Sequence, residues 1–219
     1  MPSSQDILQN LADIADQALP FAVVWHCVAL LALLMWALDF RLPRRIDAAL
    51  RCVPLGSVGV VAWLFGNAFN GVVLILLTIA MVVLSLQTAT DPAAPVRNLD
   101  RWSGAALIAF GWLYPEFIDP AQPAYVFAYA SPLGTLPCPT LSFLIGLQLL
   151  TGEPWGRSAS RVLALAGLFY GTWGVFRLSV WLDTALLLGA VTLLLSTFPR
   201  RQKTADASSE PRPLATKPA

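Results

Sequence analysis

The most unusual chemistry in this sequence is a thiol held between two prolines. Cys138 lies in Pro137-Cys138-Pro139-Thr140, and an apolar stretch runs from there to Thr151. Proline is tolerated at the first position of a helix, so we expect a short helix to begin at Pro139 with Cys138 as its N-cap. The helix dipole would favour a thiolate there, and thiolates are nucleophiles, redox groups and ligands for soft metals. A rigid turn in which a small cysteine merely fits is the alternative interpretation.

The single histidine is the second group that could do chemistry. His26 precedes Cys27 inside a long apolar stretch, where an imidazole can relay protons or bind a metal. Adjacent residues of one helix point in different directions, so a metal site would combine one of them with Cys138 and a carboxylate, Glu116 or Asp119. No HxxxH or CxxC spacing supports such a site. A histidine hydrogen-bonded to a neighbouring helix is the alternative, and we expect no cofactor.

Two charged residues near the C-terminal end of the apolar region complete the candidate site. Arg177 and Asp183 form either a structural ion pair or, together with Cys138, Glu116 and Asp119, a substrate or ion site on one side of the membrane. The sequence has no GxSxG, HExxH or P-loop motif, so we assign no catalytic residue.

The composition is that of an integral membrane protein. Of 219 residues, 57% are hydrophobic and 12% are charged, whereas soluble domains average about 45–50% and about 25%. The lipid bilayer is therefore the expected partner. A net charge of +1 with only 14 Lys and Arg residues gives no sign of nucleic-acid binding, so we expect no nucleic-acid partner.

A span needs about 20 apolar residues, and on that basis the sequence predicts an all-α bundle of about seven transmembrane helices. An Asn70-Gly71 turn joins the second and third spans. We expect residues 1–18 to form an amphipathic helix at the interface, capped by Ser3 or Ser4, and residues 199–219 to form a disordered tail. The predicted spans are about 19–38, 52–69, 72–88, 102–117, 139–151, 162–178 and 182–198.

The basic residues orient this bundle. With seven spans, every Lys and Arg except Arg177 falls on one side. Short loops rich in these residues stay cytoplasmic, which places the N-terminus outside and the C-terminus in the cytoplasm. Trp102, Trp155 and Trp181 then lie near the interfaces, where aromatic residues are enriched.

Three stretches resemble an uncharacterised family of bacterial multi-pass membrane proteins, the domain-of-unknown-function family 6064. They are Pro137-Cys138-Pro139-Thr140, Trp173-Gly174 and the run from Asp183 to Ala190. The proline–cysteine box is the most specific of them. This chain differs at residues 131–136, where the family has a histidine-containing loop and a Gly-Val pair. The resemblance implies a multi-pass protein of the bacterial inner membrane and no established activity.

Together these patterns favour a small transporter or permease-like protein, with Cys138, Glu116 and Asp119 lining an outward-facing access site. Two alternatives are a structural or assembly subunit without a ligand and a thiol-dependent membrane enzyme or metal-binding protein. Gly167 and Gly171 form a GxxxG pattern, which allows two membrane helices to pack closely. The other helices of this chain can supply that partner, so the pattern does not predict a dimer. Homo-oligomerisation is left open.

Overall fold

The computed structural model describes residues 3–87, 97–119, 121–152 and 155–198, and these residues form helices and connecting turns without any strand. Most of the polar loop before Arg97, the turn at Glu153 and the C-terminal tail lie outside the described residues. The chain also forms a π-helical turn (Trp173–Arg177) and two 3-10 turns (Ala124–Val126 and Trp181–Asp183). The helices are α1 (Ser4–Gln17), α2 (Leu19–Ala37), α3 (Arg44–Leu50), α4 (Val53–Leu64), α5 (Ala68–Gln87), α6 (Asn98–Trp112), α7 (Phe127–Ala130), α8 (Pro137–Thr151), α9 (Arg157–Thr172) and α10 (Thr184–Ser196).

Three helices among the described residues are long and apolar enough to cross a membrane. They are Leu19–Ala37, the nearly continuous pair Arg44–Leu64, and Ala68–Gln87. Two shorter apolar helices, Pro137–Thr151 and Trp181–Ser196, accompany them. Each of the seven predicted spans overlaps a helix, and the number that cross the bilayer stays a prediction.

Helix α8 is the centre of the bundle. Almost all of its residues are buried, from Pro137 to Leu149, with Cys138 as the exception within that range. A helix that is apolar on every side lies in a protein core or in lipid, and here α4, α6, α9 and α10 all pack against α8. Its 15 residues cover about 22 Å, which is less than the hydrocarbon thickness of about 30 Å.

The closest helix contact is between α6 and α8, and glycine makes it possible. A Cβ atom added to Gly104 would lie 2.6 Å from the carbonyl oxygen of Gly146, and one added to Gly146 would lie 2.7 Å from that of Gly104. Two turns further along α6, a Cβ atom on Gly111 would lie 2.5 Å from the carbonyl oxygen of Pro139. The two backbones therefore touch along two antiparallel helices, as small residues permit in membrane proteins.

The turn predicted at Asn70-Gly71 is wrong. The chain turns earlier, because Gly66 supplies the left-handed conformation (φ 75°) that ends α4. Asn67 then caps α5, with its Oδ1 accepting a hydrogen bond from the Asn70 backbone N–H at 3.3 Å. Gly71 lies inside α5, where it allows close contact with Trp63.

The bend between α9 and α10, which no proline marks, is made by irregular helix. In the π-helical turn the Leu178 N–H donates to the Trp173 carbonyl, and π turns of this kind are frequent at functional sites. Ser179 then adopts a left-handed conformation (φ 62°), and Val180 is extended. The chain reverses here without the usual turn residues.

Helix α1 begins as predicted. Ser3 is its N-cap, and Ser3 and Asp6 form a capping box in which each side chain bonds to the other's backbone N–H. These hydrogen bonds lower the pKa of Asp6. The apolar side of α1, including Leu11 and Ile14, packs onto the rest of the protein.

Of the three tryptophans expected near the interfaces, Trp102 and Trp181 are exposed, and Trp155 is not. Trp155 is buried and donates its indole N–H to the Ala48 carbonyl at 3.1 Å. Its position near a predicted helix end therefore reflects packing between α3 and α9, not contact with lipid headgroups.

The glycine contact gives a stability prediction. We expect Gly146→Ala to lower the free energy of unfolding by about 1–3 kcal/mol, because the added methyl group must push two backbones apart. Gly56→Ala is the matched control: its Cβ atom would meet only the Thr78 side chain at 3.4 Å, so this variant should be neutral or stabilised. Thermal unfolding in detergent measures both. Equal melting temperatures for the two variants would contradict the contact.

Candidate functional site

A buried cluster joins a carboxylate, a phenol and a thiol. The hydroxyl of Tyr114 donates to Asp183 Oδ1 at 2.8 Å, and the thiol of Cys138 donates to Asp183 Oδ2 at 3.2 Å. Asp183 and Tyr114 are 2% and 1% exposed. Two neutral donors therefore hold a carboxylate that has almost no contact with solvent.

Three chain segments bring these groups together. Tyr114 follows the end of α6, Cys138 is in the first turn of α8, and Asp183 immediately precedes α10. The glycine contact between α6 and α8 holds Tyr114 near Cys138. The bend after α9 then returns the chain to the same end of the bundle and delivers Asp183.

The expectation that Cys138 caps α8 is wrong. The helix begins at Pro137, the N-cap is Leu136, and Cys138 is the second helical residue. Pro137 occupies the first position, where its missing N–H costs nothing. The thiol bonds to a carboxylate, which requires it to be protonated, so the geometry does not support the predicted thiolate.

Gly174 makes room for the carboxylate. Any side chain at this position would overlap the Asp183 carboxyl group. Gly174 lies in the π-helical turn, so the irregular backbone and the missing side chain together allow α9 to approach Asp183. The Trp173-Gly174 pair noted in the sequence thus has a steric role at this cluster.

A cavity of about 450 Å³ lies beside the cluster. Cys138 and Gly174, which both touch the Asp183 carboxylate, line this cavity. A probe molecule in the cavity would therefore meet the thiol, with the carboxylate directly behind it. The other polar side chains of the lining are Asp6, Asn10, Asn67, Asn70 and Tyr170.

Helix α1 covers the cavity through polar contacts at its start and middle. Ser4 Oγ bonds both to the Arg177 carbonyl, at 2.8 Å, and to the Arg177 guanidinium, at 2.6 Å. Further along α1, Asn67 donates to Asn10 at 3.4 Å. On the opposite wall, Tyr170 donates to Asn70 at 3.1 Å. Helix α1 is thus held over the cavity by a few hydrogen bonds as well as by the packing of its apolar side.

The other predicted site residues do not join this cluster. Arg177 is exposed and bonds to Ser4, so the ion pair expected between Arg177 and Asp183 is not formed. Glu116 and Asp119 are exposed in the loop after α6, and neither lines the cavity. Asp119 accepts a hydrogen bond from the Ala121 backbone N–H at 2.9 Å, which shapes that loop.

His26 is a structural residue in this geometry. Its Nδ1 lies 2.8 Å from the Ala22 carbonyl, and its Nε2 lies 3.2 Å from the carbonyl of Trp112 on α6. The interpretation as a histidine bonded to a neighbouring helix is confirmed. Cys27, by contrast, is exposed. Across the described residues, no three His, Cys, Asp or Glu side chains lie close enough to hold a metal, so the metal site suggested for His26 and Cys138 is not assembled.

Sequence reasoning missed Tyr114 as a member of the site. Tyr114 was not among the candidate residues, yet its hydroxyl makes the shorter of the two hydrogen bonds to Asp183. The available signal was a tyrosine just after the glycine-bearing helix α6, since a buried tyrosine hydroxyl needs a polar partner. Asn10 was missed as well, because α1 was expected to be an amphipathic helix at the interface and none of its residues was a site candidate.

No family model, curated protein or solved structure matches this chain. The resemblance to the domain-of-unknown-function family 6064 therefore stays a prediction. What the geometry defines is an all-helical protein with helices able to span a membrane and with one buried carboxylate beside a cavity.

The cluster predicts a measurable coupling between two side chains. Tyr114→Phe removes the phenol and leaves Asp183 Oδ1 without that donor, which should cost about 1–3 kcal/mol of stability. In the background of Asp183→Asn the same change should cost less, because a bond to a neutral amide is weaker than one to a carboxylate. A double-mutant cycle on thermal unfolding gives the coupling energy. Additive effects of the two substitutions would contradict the hydrogen bond.

Proposed function

We propose that this protein is a small permease-like membrane protein that binds a proton or a small cation at Asp183. The supporting observation is the hydrogen bonding of this carboxylate: its partners in the described structure are Tyr114 and Cys138, both neutral. Burying a carboxylate without a cation is costly. An ionisable residue kept inside a membrane bundle most often serves an ion or proton pathway.

The cavity supports this proposal because it gives an ion access to the Asp183 cluster. Polar side chains line part of it, from α1 (Asp6, Asn10) and from the start of α5 (Asn67, Asn70), and it reaches Cys138 at the start of α8 and Gly174 in the π-helical turn. Transporters bind their ions where membrane helices begin or break, because backbone groups and helix ends are available there. Here α8 begins at Pro137, the bend after α9 follows at Trp173, and α10 begins next to Asp183.

We further propose seven crossings, with the N-terminus outside and the C-terminus in the cytoplasm of a bacterial inner membrane. Side-chain contacts sort the helix ends into two groups, one basic and one containing the cavity, as alternating crossings require. At the basic end the contacts are Arg51–Thr151, Trp155–Ala48 and Arg161–Thr197. At the cavity end they are Ser4–Arg177, Asn10–Asn67 and Tyr114–Asp183.

Cysteine labelling tests this topology. In a Cys27→Ser/Cys138→Ser background, Asp119→Cys should react with a membrane-impermeant maleimide added outside the inner membrane. Ser158→Cys, at the exposed start of α9, should react only after that membrane is opened. The positive-inside rule is the physical reason. Labelling of both positions from the same side would overturn the orientation and the count of crossings.

Proton flux tests the function. In proteoliposomes with a trapped pH-sensitive dye and an imposed potential, wild-type protein should carry protons faster than protein-free liposomes do. We expect Asp183→Asn to retain about a tenth of that rate or less, since it removes the buried carboxylate beside the cavity. Asp119→Asn, in the exposed loop, is the matched control and should keep the full rate.

Gly174→Ala is a more specific variant for the same assay. It keeps every titratable group but forces the Asp183 carboxylate to move, so it should reduce flux as Asp183→Asn does. Melting temperatures confirm that each variant is folded. Wild-type flux equal to that of empty liposomes, or equal flux in wild type and Asp183→Asn, would contradict the proposal and favour a structural subunit without a ligand.

A further inference from the structure

The cavity beside the Asp183 cluster is larger than a proton or a metal ion requires. Its volume of about 450 Å³ lies within the range of small-molecule sites, about 300–1,000 Å³, whereas one water molecule takes up about 30 Å³. Within the described residues, no group of three His, Cys, Asp or Glu side chains could hold a metal ion there. The cavity therefore has room for an organic molecule, which ion binding at Asp183 alone leaves unexplained.

The formal charges at this cavity are negative. Of its lining residues in the described structure, Asp6 is the charged one, and none is Lys, Arg or His. The Asp183 carboxylate lies directly behind Cys138 and Gly174, and its hydrogen bonds come from neutral donors. Arg177 is outside the lining and bonds to α1. A cleft bounded by charges of one sign concentrates the opposite charge, so a cation is favoured here over a neutral molecule or an anion.

One wall of the cavity is aromatic. Four aromatic residues from α5, α9 and the π-helical turn line it: Phe69, Phe169, Tyr170 and Trp173. Phe169 is central, because its ring centroid lies 6.4 Å from that of Phe69, 5.2 Å from that of Tyr170 and 6.2 Å from that of Trp173. The faces of aromatic rings attract cations, and clusters of such rings recognise quaternary ammonium groups. Metal cations such as Ca²⁺ and Mg²⁺ prefer oxygen ligands, so this wall favours an organic cation with an apolar surface.

Amide oxygens supply further polar contacts in the cavity. Its lining includes Asn10, Asn67 and Asn70. Each of these three amide oxygens already accepts one hydrogen bond, and a carbonyl oxygen has a second lone pair for another donor. An N–H or O–H group carried by the cation can therefore bind to them.

We propose that this cavity binds a small organic monocation, an ammonium ion with apolar substituents, whose charge lies between the aromatic wall and Asp183. The inference rests on the proposed function, since it assigns a substrate class to the same carboxylate. A cation bound beside Asp183 offsets the cost of burying that carboxylate alone. The protein is then a permease for organic cations.

The proton and the organic cation occupy this site in turn, because one carboxylate balances one positive charge. When the cation binds, Asp183 releases its proton to water, and when Asp183 takes up a proton, the cation leaves. Tyr114 and Cys138 face the carboxylate as neutral donors, and Glu116, in the exposed loop after α6, acts on it as a like charge. None of these three residues supplies a competing positive charge. Alternation between the two ligands exchanges one proton for one organic cation.

Calorimetry of the full-length protein in detergent tests the ligand class. The probe is choline, which carries a permanent positive charge, and the control ligand is 3,3-dimethylbutan-1-ol, which has a similar shape without the charge. Choline should bind at one site per chain, and the alcohol should bind about tenfold more weakly or less. Phe169→Leu removes the ring but keeps an apolar side chain, so it should weaken choline binding by about two- to fivefold, the effect of one cation–π contact. Phe176→Leu is the matched control, because Phe176 is exposed in the π-helical turn and outside the lining, and it should bind choline as the wild type does.

Proton movement in proteoliposomes separates this inference from the proposed function. An inward choline gradient should drive protons out of liposomes that carry the wild type, whereas a gradient of the alcohol, or protein with Asp183→Asn, should not. Melting temperatures show that each variant is folded. Equal binding of choline and the alcohol, or equal losses in Phe169→Leu and Phe176→Leu, would overturn this inference even where proton flux depends on Asp183. Conversely, selective choline binding without any proton flux that depends on Asp183 would overturn the proposed function and support the organic-cation site.

Discussion

The backbone contact between α6 and α8 is the constraint on which the rest of the structure depends. Gly104 and Gly146 let two helices meet without side chains between them, and Gly111 repeats the contact at Pro139. This contact covers one side of α8 and fixes the position of α8 along α6. Tyr114, beyond α6, and Cys138, at the start of α8, are thereby held on either side of Asp183. A shift of one helix along the other would separate the carboxylate from one of its donors.

The helices could be predicted from sequence because the physical signals behind them are local. Apolar stretches of membrane-spanning length and the Ser3 capping box act within a few residues of chain, so α1, α2 and α5 lie close to where they were expected. The turn at Gly66 was assigned incorrectly because two glycines lie near it, and only the backbone conformation shows which one turns. The bend at Ser179 was unpredictable because π-helical and left-handed residues have no firm sequence signal.

Only part of the candidate site could be predicted from the sequence. Cys138 and Asp183 stand out in the sequence because polar groups in apolar stretches are costly, and the structure joins them. Arg177, Glu116 and Asp119 stand out equally, and they lie in exposed positions where charge costs little. Tyr114 makes the shorter of the two hydrogen bonds to Asp183 but gave only a weak signal, because a tyrosine in an apolar stretch is taken as an apolar residue until the partner of its hydroxyl is known. Whether a residue belongs to the candidate site therefore depends on which helix ends meet in the folded protein.

Helix α8 also lies between two cavities. Cys138 lines the cavity near α1, and Phe143, five residues further along α8, lines a second cavity of about 530 Å³ between α2 and α8. Five residues of helix span about 8 Å, far less than the bilayer core of about 30 Å. Because backbone contact with α6 holds α8 in place, the same contact fixes both the residue that faces the Asp183 cluster and the residue that faces the second cavity.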